Sequence, residues 1–120
     1  MKKINPVIAE IFPNARFKIK NSDRVFVFEK NSTIVGFAHL RGFPHGIVLL
    51  GLGVVENFRS QGIGKKLLLF VVNFAEKNHK PIYLKVKKNN LPAVSLYKSF
   101  GFKIIKSKED RFVMKRACFS

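Results

Sequence analysis

The amino-acid sequence predicts an α/β (α+β) fold, a mixed and mostly antiparallel sheet around one β-α-β crossover, and three stretches carry that prediction. Residues 47–55 are almost wholly apolar, residues 62–79 repeat apolar side chains at helical spacing, and residues 82–87 alternate apolar with polar. A strand, a helix and a strand in that order imply a parallel crossover. The segments before and after them read as hairpins, which supply the antiparallel majority.

The elements follow in chain order. Ile4, Val7, Ile8, Ile11 and Phe12 lie at helical spacing with Pro6 near the start, which predicts a short helix over 4–12. Residues 24–28 and 33–40 are rich in β-branched and aromatic side chains and flank the polar Glu29-Lys30-Asn31-Ser32, an antiparallel hairpin. Gly and Pro punctuate 41–46, predicted to be a loop. The unbroken apolarity of 47–55 predicts a strand buried on both faces. In 62–79, Ile63, Leu67, Phe70, Val71, Phe74 and Ala75 form one helical face, with Lys66, Asn73, Glu76 and Lys77 on the other. Lys77, His79 and Lys80 suit the negative end of that helix, and Pro81 stops it. Asn90 as cap, Pro92 in the first turn and Gly101 at the left-handed exit bracket a second helix. Residues 102–106 and 111–115 flank Ser107-Lys108-Glu109-Asp110, a terminal hairpin.

A chain of 120 residues with 47% hydrophobic content suits one core, and a single domain over 1–120 is expected. The longest apolar runs fall short of the roughly 18 residues a membrane helix needs. Lys2 and Lys3 meet Asn5, Pro6 and Glu10 before any apolar run, so no secretory signal and a cytoplasmic location are expected. Cys118 is the single cysteine, and His39, His45 and His79 share no metal-binding spacing, so no metal is expected. Against 23 Lys and Arg stand 7 Asp and Glu, a net charge of +16. Such a field attracts polyanions: a phosphorylated cofactor, an acidic acceptor, a nucleic acid or ribosomal surface, or an anionic membrane. A solvated basic surface without a dedicated partner is the alternative, and with no spanning segment no membrane association is expected.

The chemistry centres on the junction between the apolar strand and the amphipathic helix. Gly62 and Gly64 flank Ile63 there and let backbone approach a ligand closely. The first-turn N–H groups of a helix have no partners within it and sit at the positive end of its dipole, a ready anion site. Arg59, Lys65 and Lys66 add formal charge. A P-loop ending at Gly64-Lys65 fails, because Arg59 stands where glycine is required and Lys66 where Ser or Thr is required. A dinucleotide fingerprint fails at Leu67 or at Glu56, depending on where it starts.

Leu52-Gly53-Val54-Val55-Glu56-Asn57-Phe58-Arg59-Ser60-Gln61-Gly62-Ile63-Gly64 resembles the acetyl-CoA-binding motif of the GCN5-related N-acetyltransferases (GNAT), with core pattern Q/R-x-x-G-x-G/A. Asn90-Leu91-Pro92-Ala93-Val94-Ser95-Leu96-Tyr97-Lys98-Ser99-Phe100-Gly101-Phe102 resembles that family's second signature, N-x-x-A-x-x-L-Y-x-x-x-G-F. The two signatures occur in order with a suitable helix and strand between them, and the resemblance spans 25–115. It implies the acyl-CoA N-acyltransferase fold and acetyl-CoA as cofactor. Backbone of Leu52, Gly53 and Val54 would pair with the pantetheine amides. Arg59 and Ser60 would head the pyrophosphate loop, held by backbone of Gln61, Gly62, Ile63, Gly64 and Lys65. Asn90 would hydrogen-bond the pantetheine arm, with Ala93 beside it, and Tyr97 would protonate the departing thiolate as general acid. Plainer roles stand beside these: Asn90 as a helix cap, Tyr97 with a buried ring and a wet hydroxyl, Arg59 as a solvated charge, Phe58 as packing.

Two departures from the family pattern matter. Residues 47–52 hold no acid, so His45 and His39 become candidate general bases, beside a water chain or an amine that arrives neutral. Only about twenty residues precede the first hairpin, where family members usually have a strand and two helices. That predicts a shortened N-terminal region and an open acceptor slot, suited to a peptide or protein amine or completed by a second subunit as a homodimer. The leading expectation is an N-acetyltransferase that moves acetyl to a primary amine, of a polypeptide or a small molecule, by direct attack in a ternary complex. The alternatives are a CoA-binding regulatory module without catalysis and a nucleic-acid- or ribosome-associated basic protein.

Overall fold

The computed structural model describes residues 22–118, and the helix expected over 4–12 lies outside them. In chain order the elements are β1 (Asp23–Lys30), β2 (Thr33–Phe43), β3 (Gly46–Val54), a 3₁₀ turn (Glu56–Phe58), α1 (Ile63–Lys77), β4 (Ile82–Lys87), α2 (Leu91–Ser99), β5 (Lys103–Ser107) and β6 (Arg111–Arg116). The six strands form one sheet in the order β1-β2-β3-β4-β6-β5, and the pair β3/β4 is parallel while the other four pairs are antiparallel. The predicted crossover is therefore present, with α1 connecting the parallel pair.

One segment departs from its expectation early. Residues 41–43, expected in a loop, continue β2: Arg41 pairs with Asp23 on one side and Val48 on the other, and the Gly42 N–H donates to Ser22 O at 2.9 Å. Long-range pairing overrides the local punctuation of Gly42, and the connection shrinks to a turn at Pro44 and His45.

The core forms where α1 lies on the sheet. Leu67, Leu68, Val71, Val72 and Ala75 are buried against Leu40, Ile47, Ile82, Leu84 and Met114. Truncating the fully buried Leu68 to Ala would cost about 2–5 kcal/mol through lost transfer energy and the cavity left behind. Phe70, expected on the buried face, is 56% exposed, because it reaches only the edge strand, where its ring meets Phe26 at 4.9 Å. Glu76 of α1 accepts from Arg116 Nη1 at 2.8 Å, which ties the helix to the far half of the sheet.

The seam between β3 and β4 positions the site. The strands pair only at Ile47 with Ile82 and Val48 with Tyr83, then separate. At the point of parting β3 carries a bulge, because Leu40 pairs with Leu49 and His39 with Gly51, so Leu50 is skipped. A bulge bends and twists the strand that carries it, here away from β4. Leu50 is 46% exposed and the residues after it are half-buried, which corrects the expectation of burial along the whole strand. The apolar run serves two purposes, core at its start and cleft wall at its end.

Candidate active site

The opening between β3 and β4 is a cavity of about 300 Å³. Leu49, Leu50, Gly51 and Leu52 form one wall, and Leu84 to Lys87 the other, with Asn90, Ala93, Leu96 and Tyr97 of the α2 segment closing it. Beyond Ile47 and Val48 no β4 residue pairs with β3, so one edge of β3 is left with backbone donors and acceptors for a ligand. A second cavity of about 570 Å³ runs along Ser60, Gly62 and Lys65 on one side and Pro92, Ser95 and Ser99 on the other. Leu96 lines both, so the two spaces adjoin.

The start of α1 leaves backbone donors without side-chain partners. Gly62 is its N-cap at φ 80°, and no side chain caps it. The first bond closing the helix is from the Lys66 N–H to Gly62 O at 3.1 Å, so the N–H groups of Ile63, Gly64 and Lys65 precede the intrahelical ladder. Ser60, at φ 64°, also lies in the left-handed region. Successive N–H groups in such a turn converge into a concavity for anions. A Cβ placed on Gly62 or Gly64 would meet nothing within 4 Å, so the space above both glycines is open. The loop is braced from outside: Arg59 Nε donates to Val54 O at 3.1 Å, and Gln61 Oε1 accepts from Lys30 Nζ at 3.0 Å. These side chains shape the turn and leave the cradle to backbone, which fits a diphosphate.

Tyr97 is placed by the way α2 ends. Gly101 takes φ 92°, the Phe102 N–H donates to Tyr97 O at 3.1 Å, and the Gly101 N–H donates to Lys98 O at 3.0 Å. Those are the two crossed bonds of a Schellman motif, and its usual apolar contact is the Tyr97 ring against Phe102, 5.6 Å between centroids. The spacing L-Y-x-x-x-G-F is thus a helix stop that also fixes the tyrosine. Burial raises the Tyr97 phenol above its ordinary value of 10.0, so it holds its proton at neutral pH, as a general acid must. At the other end of α2, Asn90 Oδ1 accepts from the Ala93 N–H at 3.4 Å. Asn90 is a cap and a cleft residue together.

The remaining sequence candidates are distributed as follows. Leu52, Asn90, Ala93 and Tyr97 share the cleft, and Ser60, Gly62 and Lys65 share the adjoining groove. Ile63 is buried in the core, and a Cβ on Gly53 would meet the Phe37 ring at 2.7 Å, so side-chain packing decides both residue types. His45 sits exposed in the β2–β3 turn, beyond the paired end of β3 and outside the cleft walls. His39 is 6% exposed on β2, and its Nε2 lies 2.7 Å from Asp23 Oδ2. Asp23, 1% exposed, also accepts from Arg41 Nε at 2.7 Å and Nη2 at 3.1 Å. This cluster pins β1 to β2 and stands one strand away from the cleft, which separates His39 from Tyr97.

Sequence reasoning missed Lys85 and Lys87, which line the cleft, and the buried Asp23. The alternation over 82–87 did put both lysines opposite the core-facing Leu84 and Val86. That this face borders an opening depends on where two distant strands part. Among the described residues lining the cleft, none is a carboxylate or a histidine, and no group of three or more His, Cys, Asp or Glu among the described residues suits a metal.

Comparison with known proteins agrees with this geometry. The chain is 30% identical over 121 residues to the "Probable N-acetyltransferase san" of Drosophila melanogaster, covering 93% of this chain and 66% of that protein. It spans 40–46% of the length of three further curated relatives. Arabidopsis thaliana Naa50, solved with the bisubstrate analogue CoA-Ac-MVNAL, superposes with a TM-score of 0.68 at 29% identity, over 78% of this chain and 72% of that one. The ribosomal-protein-S18-alanine N-acetyltransferase of Escherichia coli shares the fold with a TM-score of 0.89 at 19% identity, over 100% of this chain and 92% of that one. Residues 5–102 match the family described as "Acetyltransferase (GNAT) family", and with both signatures standing at one cleft, the chain belongs to the GNAT acetyltransferases.

Proposed function

We propose that the chain is an N-acetyltransferase that moves the acetyl group of acetyl-CoA onto the amine of a polypeptide by direct attack within a ternary complex. The carrying observation is the continuity of the uncapped α1 N-terminus, the open edge of β3 and Tyr97 around adjoining cavities. Acetyl-CoA, when bound, supplies the acetyl group as an activated thioester. Backbone N–H groups of Ile63, Gly64 and Lys65 would hold its diphosphate, and the edge of Leu52, Gly53 and Val54 with Asn90 would align its amide arm. Tyr97 would give its proton to sulfur as the C–S bond breaks. The attacking amine must be neutral, and the cleft supplies no carboxylate or imidazole among its described residues. Lys85 and Lys87 serve instead by disfavouring the ammonium form of an amine placed beside them.

A polypeptide acceptor is favoured over a small molecule by two likenesses. The Danio rerio relative named "N-alpha-acetyltransferase 50" is 37% identical over 68 residues, and the Naa50 complex carries a peptide joined to CoA. The lone Cys118 is in keeping with a reducing compartment, and the cytoplasm is the setting proposed. The test is turnover: purified protein given acetyl-CoA and a panel of amines should release free CoA thiol with peptide acceptors. Absence of release with every amine would overturn the reading.

A further inference from the structure

Directly opposed residues of antiparallel strands share a face, which sorts the β4-β6-β5 half of the sheet into two unlike surfaces. Leu84 and Val86 lie with Met114 and Phe112 on the face covered by α1, where Arg116 also reaches Glu76. The opposite face carries Tyr83, Lys85 and Lys87 of β4, Arg111, Val113 and Lys115 of β6, and Lys103 and Lys106 of β5. Six of these eight residues are cations and none is an acid. Lys85, Lys87, Lys103 and Lys106 are exposed. Asp110, in the β5–β6 turn, pairs with Arg111 at 3.1 Å and also feels the charge of Lys87. Among the described residues, none of the five lysines has a carboxylate within 4.0 Å.

Position gives this field its meaning. Lys85 and Lys87 belong to the basic face and also line the cleft that holds Tyr97. The charge therefore begins where an acceptor amine must enter and extends outward across β6 to β5. We infer, resting on the transferase reading, that this face selects acceptors whose reacting amine is followed within a few residues by aspartate or glutamate. An extended segment repeats its side chains on one side about every 6.5–7 Å, the spacing of Lys85 from Lys87, and strands about 4.8 Å apart extend the match sideways. Carboxylates on the acceptor would supply the partners that the described residues do not, steering approach and fixing orientation.

A nucleic acid fits the same charge less well. Single strands are held by aromatic platforms as well as by cations, and the one aromatic side chain on this face, Tyr83, is occupied by Lys115 Nζ 5.4 Å from its ring centre and by Phe43 at 5.8 Å. A flat sheet face also offers no helix for a duplex groove.

The experiment uses pentapeptides that share their first residue and carry acidic, neutral or basic residues at positions two to four. With saturating acetyl-CoA at low salt, kcat/KM should be about tenfold higher for the acidic than for the neutral peptide and lower again for the basic one, with the gap closing as salt is raised. K103E/K106E, on the exposed edge strand, should remove most of the acidic preference while leaving the neutral peptide within about twofold and acetyl-CoA affinity unchanged. Equal rates for all three peptides, or a preference that survives K103E/K106E, would overturn the inference. A short single-stranded RNA that binds this face tightly while peptide preference is flat would overturn it in favour of nucleic acid. Anisotropy of the labelled peptides with CoA present reads the face independently of turnover. Acidic-peptide binding without transfer would sink the transferase reading alone.

Discussion

The two helices begin in opposite ways. α2 satisfies itself: Asn90 accepts from the Ala93 N–H, and Pro92 in the first turn has no N–H to leave unpaired. α1 starts at Gly62 with no side-chain cap and with open space over both glycines. A helix start with glycine as its cap costs roughly a few tenths of a kcal/mol relative to one capped by asparagine, and the chain shows in α2 that it can build the side-chain cap. Under the proposed function the difference means that α1 would keep its N–H groups for the diphosphate, while α2, closed at both ends, holds Tyr97 and Asn90 in place.

The sharpest way to break this contrast is Gly62→Glu, which fills the open start of α1 with a negative side chain at a left-handed position. CoA affinity measured by calorimetry should fall by at least about 100-fold, since the carboxylate competes for the N–H groups and repels the diphosphate. Retained tight binding would show that α1 is not the anion site.

Next in size is Tyr97→Phe, which keeps the ring on Phe102 and removes the proton donor. We expect kcat lower by about 10–100-fold with CoA affinity within twofold. An equal loss in binding would mean that the tyrosine organises the cleft and does not act as the acid.

Asn90→Ala removes the cap and a cleft contact together. Thermal unfolding should show a loss of about 1 kcal/mol, and CoA affinity should fall a few-fold. A melting temperature left unchanged would mean that the two helix starts differ less than the geometry indicates.

The smallest effect is an absence. As the proposed general acid Tyr97 would work in its protonated form, and burial raises its pKa above 10.0, so its loss of function should come only as pH climbs through a value higher than that. The rate should rise with pH as the acceptor amine loses its proton, then hold level to about pH 9.5. A decline beginning below pH 9 that vanished in Tyr97→Phe would contradict the burial-raised phenol.

Much of the site was legible because its parts are local. The glycines at the start of α1, the Asn90 cap and the Tyr97 to Phe102 stop each lie within six residues, and the positive φ of Gly62 and Gly101 marks two of these turns directly. The histidines were less legible. An imidazole is a natural candidate for a base, but the places of His39 and His45 outside the cleft follow from strand order, which their neighbours in sequence do not encode. The loop expected over 41–43 became strand for the same reason: Asp23, far upstream, holds Arg41 in register.

The sequence by itself determined where α1 and α2 start and stop and which strands alternate, since these depend on backbone sterics and on side-chain spacing of two or 3.6 residues. Tertiary structure decided where β3 leaves β4, which charges are paired inside the fold as Asp23 is, and which gather beside the cleft as Lys85 and Lys87 do. Those outcomes follow from register and bulges between strands distant in the chain. A shift of one residue would turn every one of those side chains to the other face.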